Sequence, residues 1–448
     1  MPDEEKILKR REFIKSALAC AGAIMIADSA RADLPAQLFP PHKPLGTPRG
    51  IHPGRVSWIH NPGVVDWSGM DFWWKPGNYN HADIMAMIER GITVLTGADN
   101  GKDAWAALFE WKNRENGLEG GYRPGQKIAV KTNMNGAGEY NDDPHGAHGA
   151  PYGNPVLLQC LLLSLVRQAG VKPSDITVFD TCRIYPDYMR KMCAEGELAG
   201  VNFRHRAEGA PLDATADKSS QIHWAGNVEG EETYFPRCLT EATYLVNLAN
   251  LKGHSWGMTL GAKNHFGSFV NSDRRRTPAA AGLHANIIES HMGDYSVLTD
   301  LNGQKQIDAK TILTILDALV TAVSETGSIS PETAKWKMPP FNGDYACSLF
   351  FSQDPVAIDS VGADFLVNEP VMRRHNSNMR HKASMENYLH ESALRDRPPS
   401  GIVYGDGEGG KPKSLGVHEH WNNPQEKIYT GNKKPGEGIE LLYRQLHS

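Results

Sequence analysis

A chain of 448 residues has room for two or three domains, and its 40% apolar and 22% charged residues are those of an ordinary globular protein. A net charge of −5 gives no general electrostatic reason to bind nucleic acid or anionic membrane, so neither is expected as a partner. The six cysteines include no Cys-x-x-Cys pair, so neither an iron–sulfur cluster nor a tetrathiolate zinc site is expected.

The N-terminus reads as a targeting segment. Lys9-Arg-Arg-Glu-Phe-Ile-Lys15 resembles the twin-arginine export motif, Ser16 to Ala27 forms a small apolar stretch, and Ala30-Arg-Ala32 fits a small-x-small cleavage site. The apolar stretch is shorter than the ~20 residues that span a bilayer, so no stable membrane anchor is expected. The alternatives are a basic amphipathic helix, or lipoprotein cleavage before Cys20, for which Leu18 is badly placed. The resemblance implies residues 1–32 as signal peptide, the twin-arginine translocase as a transient partner, and a periplasmic location. That route carries folded proteins, often with a cofactor already inserted.

Residues 33–122 form an N-terminal region expected to pack on the core. Arg55 to His60 alternates like a strand, and Asn80 can cap a helix covering His81 to Arg90 or beyond. Lys102 to Asn113 reads as a second helix. Trp58, Trp67, Trp73 and Trp74 either seat this region on the main domain or form a carbohydrate platform.

Residues 123–368 form the core. Lys127 to Thr132 predicts a strand ending at Lys131 and Asn133. The loop after it crowds Asp142, Asp143, His145 and His148, a metal-ligand set or simply a polar loop. Asn154 caps a helix with Pro155 at its first position, Gly170 ends it, and Asp175 to Asp180 is the next strand. This β-helix-β spacing fits a right-handed parallel crossover. Leu198 to Pro236 reads as irregular. Tyr244 to Ala249 has strand composition, a polar turn carries Lys252 and His254, and Trp256 to Phe266 reads as a short helix with Thr259 and Lys263 on one face. Arg274-Arg-Arg276 is a solvated charge run or an anion-binding lid. His284 or His291 can join His254 or His265 in space. Thr311 to Leu316 reads as a strand ending at Asp317, the preferred reading, or as the start of a helix running to Val323, and Ala346 to Ser352 predicts a clearer strand. Asp354 then caps a helix begun by Pro355, whereas Asp359 has no such structural role and is the better functional candidate.

Three of these pieces carry a family resemblance. Ile128-Ala-Val-Lys-Thr-Asn133, then Leu251-Lys-Gly-His254 with Met258-Thr-Leu-Gly-Ala-Lys-Asn264, then Gln353-Asp-Pro-Val-Ala-Ile-Asp359 resemble, in order, the motifs of domain-of-unknown-function family 362. The resemblance spans roughly Lys127 to Val367. Some members of that family carry ferredoxin-like cysteine clusters, which this chain lacks.

Residues 369–448 form a C-terminal extension. His418-Glu-His420 is a weak metal pair whose side chains point alike only in a strand, and Glu437 to Leu446 reads as a closing helix.

The predicted fold class is α/β, a mostly parallel sheet with helices on both faces plus irregular N- and C-terminal extensions. If the strands are parallel, Lys131, Asn133, Asp180, Lys252, His254 and Asp317 line one crevice at their C-terminal ends. With Lys263 and Asn264 on the helix beside it, three lysines near one crevice favour a small anionic ligand. Lys252, His254 and Lys263 are the candidate catalytic residues; Lys131, Asn133, Thr259 and Asn264 are the candidate substrate-binding residues. A transition metal on His254 and His265 is one candidate cofactor. The other reading is that the lysines pair with Asp180, Asp317 and Asp359 in a structural network. The residues leave open an exported enzyme, a metal- or anion-binding protein, and an accessory factor for an exported redox enzyme.

Overall fold

The computed structural model describes residues 39–137, 149–206, 211–228, 232–255, 257–271, 280–288, 290–377 and 381–446. The export segment, the Asp142–His148 loop and the Arg274–Arg276 triplet lie outside them.

The molecule is built on one eight-stranded sheet. We number its strands β1 (Arg55–His60), β2 (Ile128–Thr132), β3 (Ile176–Asp180), β4 (Asn202–His205), β5 (Tyr244–Asn250), β6 (Thr311–Ala318), β7 (Ser348–Ser352) and β8 (Glu440–Gln445). Their spatial order is β8-β1-β7-β6-β5-β2-β3-β4. The block from β6 to β4 is wholly parallel, β7 runs against both its neighbours, and β8 is parallel to β1. This is the α/β class the sequence predicts.

The strands are apolar at nearly every position because both faces are covered. On one face, Ile128, Val130, Val178 and Val246 pack with Ile84, Met87, Leu108, Leu158 and Leu161 of the helices His81–Thr96, Gly101–Glu115 and Pro155–Arg167. On the other, Ala129, Phe179, Leu245 and Leu316 pack with Ile358, Val361, Phe365 and Leu389 of the helices Pro355–Asn368 and Lys382–Ala393. Asn80, Asn154 and Asp354 cap their helices as expected, each side chain accepting from first-turn backbone N–H groups.

Three expectations give way. Glu437 to Leu446 is not a helix: Glu440–Gln445 pairs with β1, and an edge of the sheet that needs a partner overrides a run without clear alternation. Leu198 to Pro236 is not irregular throughout, since it contains β4 and the strands Ala216–Gln221 and Thr233–Pro236. The helix read over Trp256 to Phe266 begins only at Gly261. Before it, Gly257–Thr259 folds back antiparallel on Lys252–His254, with Gly257 at φ 99°, a left-handed conformation that suits glycine.

Both terminal extensions contribute to this sheet, β1 from the first and β8 from the second. Residues 37–448 form one compact unit. Among the described residues no helix is long and apolar enough to cross a membrane, and Cys160, Cys182, Cys193, Cys238 and Cys347 are all unpaired thiols.

Candidate active site at the switch point of the sheet

From β2 the chain builds outward through β3 and β4, then returns to β5 on the other side of β2 and builds away through β6. The crevice above β2 and β5 is therefore the topological switch point, where open α/β sheets bind ligands at the C-terminal strand ends. Lys131 ends β2 and lies beside Asn247 of β5. Asn133 follows β2, and Lys252 and His254 follow β5 on the short hairpin, where Lys252 is the partner of Thr259.

These groups form a chain of hydrogen bonds. Lys252 donates to Asn133 Oδ1 at 3.0 Å and to the Pro151 carbonyl at 3.3 Å. Asn133 and Lys131 both donate to Asn264 Oδ1 at 3.3 Å, and Asn264 in turn donates to Asn247 Oδ1 at 2.7 Å. The Lys131 ammonium also sits 2.8 Å from Asp180, with both side chains buried. Lys131 and Lys252 are thus held by protein acceptors. For Lys131 the structural-network reading is the one seen, with Asp180 as its partner.

Lys263 differs. Its amine is buried and has no hydrogen-bond partner among the described residues. Burial pushes its pKa down to about 7, helped by the charge of Lys252 and opposed by Glu325. Lys252, also buried but supported by Glu325, Asp180 and Asp317, falls only to about 8. A cavity of about 60 Å³ is lined by Lys263, His254, Thr259, Asn133, Asn264, Asp180 and His284, among others. Although Thr259 and Lys263 do not share a helix face, the hairpin brings both to this cavity.

His284 joins His254, the rings stacked with centroids 5.3 Å apart, while His291 is exposed and pairs with Asp294. Burial, then the neighbouring Lys263 charge, holds His254 and His284 well below the usual histidine range, so both rings are neutral. His265 does not line this cavity. It is bonded to Ser268 and lines a separate small cleft with Arg49 and Asp308, so it does not share a cavity with His254.

Asp359 has a structural role after all. It accepts from the backbone N–H of Gly261 at 2.8 Å and of Ala262 at 2.9 Å, and from the Tyr388 hydroxyl at 3.0 Å. It thus caps the turn Gly261–Asn264 that presents Lys263 and positions the amine from outside the cavity. Asp317 accepts from the backbone of Asn154 and Leu319. Glu325 was missed by sequence reasoning. It accepts from Ser255 N at 2.6 Å and lies 3.8 Å from His254, but it sits in a loop with no motif around it.

The family model described as a domain of unknown function (DUF362) matches residues 128–377, more than half of the chain. The chain belongs to the DUF362 family. No curated protein matches it. The DUF362 region contains every cavity residue named above, so the crevice is assembled wholly within the family domain.

Proposed function

We propose that this DUF362 protein is an exported enzyme acting on a small anionic substrate, a carboxylate or phosphate compound, with Lys263 as the reacting amine. The observation that supports this reading is the buried, unpartnered amine of Lys263 with its pKa near 7. Such a group can take a proton from a substrate, or form an imine with a carbonyl substrate as water leaves. Lys252 supplies the nearby positive charge, and the neutral rings of His254 and His284 wall the cavity. An anion bound beside Lys263 raises its pKa, so the complex takes up a proton when formed above pH 7.

The test is titration calorimetry at pH 8 in two buffers of different ionisation enthalpy, using phosphate, formate and pyruvate as probes. Binding with uptake of about one proton, lost in Lys263→Met, is expected. With pyruvate, borohydride should trap an adduct on Lys263. Saturable binding with no proton uptake and no adduct would leave a binding protein instead, and binding unaffected by Lys263→Met would overturn the assignment.

The export half of the proposal rests on the ordered motif in residues 9–32. Replacing Arg10 and Arg11 together by lysine should hold the protein in the cytoplasm in a fractionation assay. Undiminished export of that variant would refute it.

A further inference from the structure

A second cluster of chemistry-bearing residues lies wholly outside the matched family region. His42 comes from the N-terminal extension, Glu386 from the helix Lys382–Ala393, and His418 and His420 from the strand Val417–His418 and the residues after it. One ligand atom from each of the four lies within 4.8 Å of the others. The period of two in the chain there sends His418 and His420 to one side and Glu419 to the other, where it accepts from Thr430 and Ile439.

The hydrogen bonds around the cluster fix the tautomers. The Ser360 hydroxyl gives its proton to the Val356 carbonyl at 2.7 Å, so at 2.8 Å it can only accept from His418 Nδ1–H. The Lys43 carbonyl, an acceptor only, takes His42 Nδ1–H at 2.8 Å. Asp364 takes His420 Nδ1–H at 2.7 Å, and its other oxygen is held by Trp421 N and the Tyr429 hydroxyl. All three rings are therefore tied through Nδ1 and turn Nε2 inward. The Nε2 atoms of His42 and His418 are buried with no hydrogen-bond partner among the described residues. His420 Nε2 lies 3.4 Å from Glu386 Oε1. The second oxygen of Glu386 accepts no hydrogen bond among the described residues; its neighbour is the Lys382 ammonium at 3.3 Å, on a half-exposed side chain.

Two bare, buried lone pairs so close together are costly unless something binds them. Histidines anchored by carboxylate, hydroxyl and carbonyl through their outer nitrogens are the usual surroundings of metal-bound imidazole. An ion ~2.1 Å from each donor sets tetrahedral donors ~3.4 Å apart, so a pair at the 4.8 Å limit must close by roughly 1.4 Å. Three nitrogens and one carboxylate, without sulfur, suit a divalent first-row transition ion rather than magnesium or calcium.

We propose that His42, Glu386, His418 and His420 bind one divalent first-row transition-metal ion, at a site distinct from the Lys263 cavity. The proposal does not depend on the enzyme reading. The ion joins the N-terminal extension to the helix Lys382–Ala393 and the segment around His418 and His420, both in the C-terminal extension. His390 stands beside the cluster, its Nε2 3.2 Å from Glu386 Oε1.

The test uses the full chain, stripped with a chelator and dialysed against Zn²⁺, Mn²⁺, Mg²⁺ or Ca²⁺ alone, with bound metal measured by elemental analysis. One Zn²⁺ per chain, bound more tightly than Mn²⁺ and with a rise in Tm, is expected, since zinc outranks manganese on such donors. Co²⁺ should give the visible absorption of an ordered nitrogen–oxygen site. His42→Gln lies at the edge of the fold and should leave Tm of the metal-free protein unchanged. It should weaken Zn²⁺ binding at least tenfold, as should His418→Gln. No retained Zn²⁺ in the parent protein, equal binding of Mg²⁺ or Ca²⁺, or undiminished Zn²⁺ binding in the folded His42→Gln/His418→Gln double variant would each overturn the proposal.

Discussion

Replacing Lys263 by methionine is expected to make the protein more stable while removing its ligand chemistry. Methionine keeps the length and apolar stem of the side chain and deletes only the amine. In the unfolded chain that amine holds its proton up to about 10.5, in the folded chain only up to about 7. Between those values the unfolded state binds the extra proton, so the stability of the parent protein rises with pH across the window. The variant lacks that dependence. Its advantage is therefore full below pH 7, shrinks from pH 7 to about 10.5, and is gone above that. The separation of the two pKa values sets its ceiling on the order of 5 kcal/mol. Denaturant unfolding of both proteins at pH 6, 8 and 10 measures it. A variant less stable than the parent at pH 6 would mean that the ammonium is well paired, and the case for a reactive amine would fail. The expected pattern is a local loss of stability retained at a functional site.

The opposite result is expected one strand away. Asp180→Ala should cost about 3–5 kcal/mol, because it strands the buried Lys131 ammonium without its partner. It also removes the acceptor for Cys182 N at 2.8 Å. Lys131→Met, leaving Asp180 buried without its ion pair, should cost a comparable amount. The double variant Lys131→Met/Asp180→Ala should recover much of the loss, since neither charge is then abandoned. Denaturant midpoints of the three variants give the coupling. Near-additive losses would show that the two groups act separately, with Lys131 available to a ligand. Large coupling makes Lys131 part of the scaffold, leaving Lys263 and Lys252 to meet the substrate.

The parts of the molecule legible in the sequence are those decided locally. Asn80, Asn154 and Asp354 announce their helices because a capping side chain and the N–H groups it serves are two or three residues apart. Lys131 and Lys252 could be placed at one edge because Lys131 stands next to last in an apolar strand and Lys252 follows one by two residues. The sequence misled where two local patterns coincide. Gly257, Gly261, Thr259 and Lys263 have helical spacing, but a left-handed glycine and a three-residue hairpin satisfy the same letters. It was silent where partners are remote. Nothing near Glu440 indicates that Arg55 will be its ion-pair partner, and nothing near His418 indicates that His42 will face it. Asp359 looked unemployed because the N–H groups it caps belong to a turn almost a hundred residues earlier.

The sheet order carries a consequence for how the protein is made. β1 emerges early from the ribosome, yet both its neighbours, β7 and β8, come from the far end of the chain. The Trp58 indole waits for Ser348, 290 residues later. At ~5–20 residues per second, that strand spends roughly 15–60 s with unpaired edges and an exposed tryptophan. Closure of the sheet on that side is therefore a post-synthetic event with high contact order, and hence slow. Until then a nascent chain of this kind carries an unpaired strand within its first hundred residues. An export machine that admits only finished folds would reject it until the last strand had docked.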